Sequence, residues 1–117
     1  MNKTRLDNER IFHDNRFANN DNLRFNIKKY YVINKIALEK YYNIISTICK
    51  NNKLLEYGCG TGDNIKTFEN FGASVTGIDI SSEGIKKAKE KNTKNKLDID
   101  YFVMDAESTD FADNTFN

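Results

Sequence analysis

The residues of this sequence best suited to chemistry are three carboxylates and a run of glycines. Glu56 precedes the glycines in Leu55-Glu56-Tyr57-Gly58-Cys59-Gly60-Thr61-Gly62, Asp79 closes Val75-Thr76-Gly77-Ile78-Asp79, and Asp105 follows Met104. A strand that runs into such a turn and then a helix is how an α/β domain builds a cofactor loop. Gly58 lets the chain leave the strand sharply, and Gly60 admits a ligand close to the backbone. Gly62 allows the next helix to pack on the strand. The spacing is G-x-G-x-G, and Asp63 stands where the dinucleotide fingerprint requires its last glycine. An ionised acid at the end of a second strand, Asp79, is placed to accept both hydrogen bonds of a ribose diol. Asp105, with the backbone of Ala106, suits an exocyclic amine and ring nitrogen such as those of adenine. Glu56 beside the turn would repel phosphate and favour a positive group. A cationic ligand carrying adenosine fits this set best.

These groups meet only if three strands end along one edge, and the chain supplies the elements for that. The first strand begins at Lys53. The helix after Gly62 has Asp63 at its positive end, Ile65, Phe68 and Phe71 as its buried side, and Gly72 as its stop. Ala73–Asp79 is a second strand, and the tight turns imply a parallel pair with a right-handed crossover. Ser81 and Ser82 are N-cap candidates for a helix that runs to Lys91, with Ile85 and Ala88 inward and the lysines between Lys86 and Lys96 solvated. In the third strand Ile99, Tyr101 and Val103 alternate with Asp100 and Phe102. Ala106 to Asn117 reads as loop.

Upstream, Phe25 to Cys49 reads as one long amphipathic helix, broken at most once. Its stripe is Ile33, Ala37, Tyr41, Ile44 and Ile48, extended backwards by Tyr31 and Ile27. Lys50-Asn51-Asn52 stops it, asparagine being suited to a left-handed cap. Met1 to Asp21 is a polar arm. Its aromatic island, Ile11 to Phe17, is either a helical turn or two docked on something apolar, or part of a partly ordered arm. His13 is the only histidine, a general-base candidate by residue type whose blander reading is an exposed or structural side chain. Tyr30, Tyr31, Tyr41 and Tyr42 suit an acceptor pocket or, more ordinarily, helix packing.

A chain of 117 residues holds one small domain. Its net charge of +1 carries no polyanion-binding signature, which argues against nucleic acid and anionic membrane as partners. It has no apolar run of membrane-spanning length and no apolar signal core near Met1, so the expected compartment is the cytoplasm. Cys49 and Cys59 lack zinc-ligand spacing and are expected to be thiols, and no metal site is read.

The ordered motifs Leu55 to Gly62, Val75 to Ser81 and Met104-Asp105-Ala106-Glu107 resemble the first three motifs of the class I S-adenosylmethionine-dependent methyltransferases, most closely the small-molecule type. The resemblance covers Lys53 to Asn117. It implies a Rossmann-like three-layer α/β sandwich, of which residues 51–117 form the N-terminal half and 1–50 a helical extension. It also implies S-adenosylmethionine as cofactor and a small molecule as methyl acceptor. Glu56 and the backbone of Gly58, Cys59, Gly60 and Gly62 would surround the methionine part. Asp79 would hold the ribose, Ile80 would pack on adenine, and Asp105 with Ala106 would read its edge. No catalytic residue is identified. Relatives continue past Phe116 into a fourth strand that carries much of the acceptor site, so this chain reads as the cofactor-binding part of a longer enzyme, inactive by itself. An unpaired edge on the first strand would invite self-association. The other readings are a non-catalytic cofactor-binding or assembly module and, less favoured, a nicotinamide-dependent oxidoreductase fragment.

Overall fold

The structure, a computed structural model, describes residues 3–19 and 34–117. Its elements are α1 (Lys3–Ala18), α2 (Lys35–Cys49), β1 (Lys53–Tyr57), α3 (Ile65–Asn70), β2 (Ser74–Asp79), α4 (Ser82–Lys94) and β3 (Asp100–Val103). The strands form one parallel sheet in the order β1-β2-β3. This is the α/β class expected, with helices packed on the sheet and a helical extension ahead of it. The central strand is the most enclosed: Val75, Gly77, Ile78 and Asp79 are all buried. Asn117 meets the free edge of β1 at one residue, its N–H donating to the Lys53 carbonyl (3.0 Å) while its side-chain oxygen accepts from the Lys53 N–H (2.9 Å).

The core lies between the sheet and its helices. Ile65, Phe68, Val75, Ile85, Ala88, Ile99 and Tyr101 are its main members. Gly77 makes room for it, because a Cβ there would stand 2.7 Å from Ile65 Cδ1 and 2.8 Å from Tyr101 Cδ1. Asn51 takes the left-handed cap conformation (φ 62) after α2. Ser81 is the N-cap of α4, its hydroxyl accepting from the Gly84 N–H at 3.0 Å.

Several expectations need correction. Within α2 the packed residues are Cys49, fully buried, and half-buried Ile45, whereas Tyr41, Ile44 and Ile48 of the expected stripe are 45%, 50% and 46% exposed. Periodicity fixes the helix but not the rotation at which it meets the sheet, here one step round from the stripe. The proposed start of this helix, Phe25 to Ile33, lies outside the described residues, as do Tyr30 and Tyr31. Asp63 stands at the start of α3, one residue ahead of its N-cap, where its carboxylate accepts from the Thr61 hydroxyl and pairs with Lys91 at 2.6 Å. Asn64 holds the cap position without a side-chain hydrogen bond. Val103 is 48% exposed, not inward, at the end of the edge strand β3, where it shares an open space with α4 residues from Ser82 to Thr93. The helix of α4 continues to Lys94, one turn past the expected end.

The largest difference is α1, a helix of 16 residues where one or two turns were expected. Its apolar island does not dock as a unit: Ile11 and Phe12 are 58% and 63% exposed, and Phe17 alone of them packs inward. Polar contacts hold the helix instead. The Asp14 carboxylate accepts from the Ser81 hydroxyl (2.6 Å), the Ser82 hydroxyl (3.2 Å) and the Glu83 N–H (3.1 Å), so it caps α4 from another element. Lys87 of α4 returns a hydrogen bond to the Phe17 carbonyl. Each helix therefore answers the partial charge at the other's end.

Burial alone would raise the Asp14 pKa, but the bonds from Ser81, Glu83 and Ser82 outweigh it and hold the carboxyl below its ordinary value. A lowered folded-state pKa stabilises the fold above the unfolded pKa and is lost as pH falls through the folded one. Asp14→Ala should therefore cost about 1 kcal/mol at neutral pH. In urea titrations the deficit should shrink as pH drops below the ordinary aspartate value of 3.8. A deficit independent of pH would show that the charge of Asp14 is not what caps α4.

Candidate functional site

The three strands deliver their C-terminal ends to one edge, and Asp79 sits at its centre. The strand ends are fastened together there: Cys59 N–H donates to the Ile78 carbonyl (3.0 Å) and Met104 N–H to the Asp79 carbonyl (2.9 Å). The Asp79 side chain is 8% exposed, and backbone groups fix both its oxygens. Gly60 N–H donates to Oδ2 at 2.7 Å and Ser81 N–H to Oδ1 at 2.8 Å. A carboxylate offers about four lone-pair sites, so each oxygen keeps capacity for another donor. The two backbone bonds hold the group in one orientation, ready for a pair of hydroxyls.

Asp79 lines a cavity of about 330 Å³. The sheet side of this cavity is Gly58, Ile80, Asp105 and Ala106 with Tyr57, Met104 and Glu107. The opposite side is α1, through Leu6, Glu9, His13, Arg16 and Phe17. Gly58 has φ +67 and nothing within 4 Å of the place its Cβ would occupy, so its backbone is open to a ligand. Turn, acid, apolar residue and second acid therefore surround one space, with the acids giving it a bias toward positive charge.

Comparison with known proteins agrees with that arrangement. The methyltransferase domain family matches residues 54–117, more than half of the chain. The chain belongs to the class I S-adenosylmethionine-dependent methyltransferases. It is 50% identical over 58 residues to a ubiquinone biosynthesis O-methyltransferase of Pelagibacter ubique, a match that covers 50% of this chain and 24% of that protein. The PH0226 protein of Pyrococcus horikoshii superposes with a TM-score of 0.62 at 30% identity, over 76% of this chain and 41% of its own. An S-adenosylmethionine-dependent methyltransferase of Clostridium acetobutylicum shares the fold, with a TM-score of 0.55 at 19% identity, covering 79% of this chain and 41% of its own. The chain thus spans less than half the length of each of these relatives.

The residues of this methyltransferase chain fit the cofactor on structural grounds. The open cradle at Gly58 and the free lone pairs of Asp79 are the two. Glu56 lies outside the cavity lining; its Oε2 is buried without a hydrogen-bond partner, while Oε1 accepts from Asn64 at 3.3 Å. Burial, helped by the charge of Asp63 and opposed by the Asn64 bond, raises the Glu56 pKa.

The sequence-derived site divides in two. Gly58, Asp79, Ile80, Asp105 and Ala106 line the cavity, whereas Glu56, Cys59, Gly60 and Gly62 stand outside its lining. Glu56 lies toward α2, beside a smaller space lined by Tyr41, Ile45 and Phe68. Gly60 acts through its N–H on Asp79. Gly62 packs against Tyr101. The α1 residues on the cavity wall were not singled out from the sequence, apart from His13. Their spacing, 6, 9, 13, 16 and 17, is helical, but a polar stripe is not distinguishable in sequence from a solvated face.

Cys59 is buried behind the loop, where burial first and then the charges of Asp79 and Glu56 push its thiol up to about 12. Cys49 is fully buried and its pKa is raised by burial. Both should react with a thiol reagent at pH 8 far more slowly in the folded chain than in urea, by two orders of magnitude or so for Cys59. Equal rates would show that the loop opens freely. Among the described residues no helix is long and apolar enough to cross a membrane, and no group of three acids, cysteines or histidines is placed to hold a metal ion.

Proposed function

We propose that this chain is the cofactor-holding part of an enzyme that methylates a small-molecule acceptor with S-adenosylmethionine. The observation that carries the reading is Asp79, buried at the sheet edge with one backbone N–H on each oxygen and capacity for two further donors. When bound, the cofactor supplies a methyl group on a sulfonium, which a nucleophile on the acceptor displaces in line.

The chain's own residues bind and orient. Asp79 holds the ribose hydroxyls and so fixes the rotation of the adenosine. Ile80 presents an apolar surface to the base, and Asp105 with the Ala106 backbone reads the base edge. The open backbone of Gly58 lets the methionine part pass close to the turn. Carboxylates at Asp79, Asp105 and Glu107 favour a ligand with positive charge over one bearing phosphate. The contribution to rate is alignment, which in transfers of this kind is a large share of catalysis.

Calorimetric titration of the chain with S-adenosylhomocysteine, and in parallel with NADH, tests the reading. Saturable binding of the first alone is expected. Binding of NADH alone, or of neither ligand to a chain shown to be folded by circular dichroism, would overturn it.

A further inference from the structure

Asp79 owes its orientation to two backbone donors, and α1 stands behind both. Ser81, whose N–H donates to Asp79 Oδ1 at 2.8 Å, sends its own hydroxyl to Asp14 Oδ1 at 2.6 Å. Gly60, whose N–H donates to Oδ2 at 2.7 Å, lies under the Phe17 ring, which would stand 2.9 Å from a Cβ there. Both α1 residues precede the family-matched segment, which begins at residue 54.

Capping alone does not account for Asp14. The helix α4 has its own N-cap in Ser81, whose hydroxyl accepts from the Gly84 N–H at 3.0 Å. Such a hydroxyl can leave its proton to solvent, but Ser81 is 0% exposed, so the proton needs an acceptor inside the fold. Asp14 is that acceptor, and it also takes the Ser82 hydroxyl at 3.2 Å and the Glu83 N–H at 3.1 Å. Three successive residues are thereby held from α1, and the first of them carries the N–H that aims Asp79. Two carboxylates bonded to one serine repel each other, so this arrangement has a cost that simple capping would avoid. A carboxylate, with about four lone-pair sites, is the side chain able to accept all three donors at once.

We infer that Asp14 is a positioning residue for Asp79: by fixing Ser81 it fixes one of the two bonds that aim the carboxylate at a ribose diol. The inference rests on the cofactor reading above. Asp14 does not line the cavity, so its effect on a ligand passes through Ser81 and not through a contact of its own. Recognition of the diol thus depends on a helix that precedes the sheet.

The test compares S-adenosylhomocysteine with its 2′,3′-dideoxy analogue, which keeps the base and the amino-acid tail and lacks the diol. Asp14→Ala should weaken the first by about fivefold and leave the second unchanged, so that the preference for the diol narrows. Asp14→Asn, which keeps one oxygen for the Ser81 hydroxyl, should recover part of that preference. Ser81→Ala should narrow it to a similar extent, and adding Asp14→Ala to Ser81→Ala should narrow it no further. The titrations are run at a temperature where circular dichroism shows each variant folded. Equal weakening of both ligands by Asp14→Ala would show that α1 only supports the pocket, and an unchanged preference would show that the bond to Ser81 does not reach Asp79. Either result would overturn the inference while leaving the cofactor reading intact. Failure of both ligands to bind the unaltered folded chain would sink the cofactor reading and the inference with it.

Discussion

Asp79→Ala is expected to lower the affinity for S-adenosylhomocysteine by at least tenfold, the largest effect on binding of any single substitution at the site. Hydrogen bonds to a charged group contribute on the order of 1.5–3 kcal/mol each, and the proposed ribose contact uses both carboxylate oxygens. Alanine also strands two donors, because the Gly60 and Ser81 N–H groups lose their acceptor in a buried place. An unsatisfied buried group costs about 1–3 kcal/mol, so stability falls together with affinity. Asp79→Asn separates the two effects in part. Its oxygen still serves one backbone N–H while its amide faces the other as a donor, and the negative charge that draws a ligand is gone. Calorimetry should be run at a temperature where circular dichroism shows each variant folded. A folded Asp79→Ala or Asp79→Asn chain that binds as tightly as the unaltered protein would remove Asp79 from the site.

The legible part of this chain is the part governed by local pattern. Alternation at Ile99 and Tyr101, the run Val75 to Asp79, the N-cap at Ser81 and the left-handed Asn51 each follow from residues near in sequence, and each is present. Asp79 and Asp105 reach one cavity because parallel strands must end on the same side. What sequence leaves dark is set by contacts across long separations. α1 owes its place to Asp14 meeting Ser81 and Glu83, 67 and 69 residues away, and no periodicity announces such a bond. Asp63 shows the same limit on a small scale. It stands just ahead of the cap position that Asn64 holds, and Lys91, 28 residues away, pairs with its carboxylate. The stripe Tyr41, Ile44 and Ile48 shows another limit, since an apolar face says that something covers it and not which surface does.

Gly62→Ala is expected to cost about 2–5 kcal/mol of stability, and the comparison with Gly58→Ala shows why. Both glycines have positive φ, +67 at Gly58 and +76 at Gly62, so alanine incurs a left-handed backbone cost of roughly 1–2 kcal/mol at either. Their surroundings differ. A Cβ at Gly58 meets nothing within 4 Å, whereas one at Gly62 would stand 2.5 Å from the Tyr101 hydroxyl oxygen and 3.0 Å from its ring carbon Cζ. Tyr101 is 6% exposed and packed in the core, so it has little room to withdraw, and overpacking adds about 1–3 kcal/mol. In urea titrations Gly58→Ala should therefore show the conformational cost alone. Adding Tyr101→Phe to Gly62→Ala removes the nearest atom and should return part of the steric loss, a coupling that a double-mutant cycle measures. Equal costs at the two glycines, or no coupling to Tyr101, would mean that β3 does not prop the loop. If β3 does so, the third strand has two tasks at the site: it brings Asp105 to the cavity, and through Tyr101 it sets the height of the turn from which Gly58 faces the ligand and Gly60 holds Asp79.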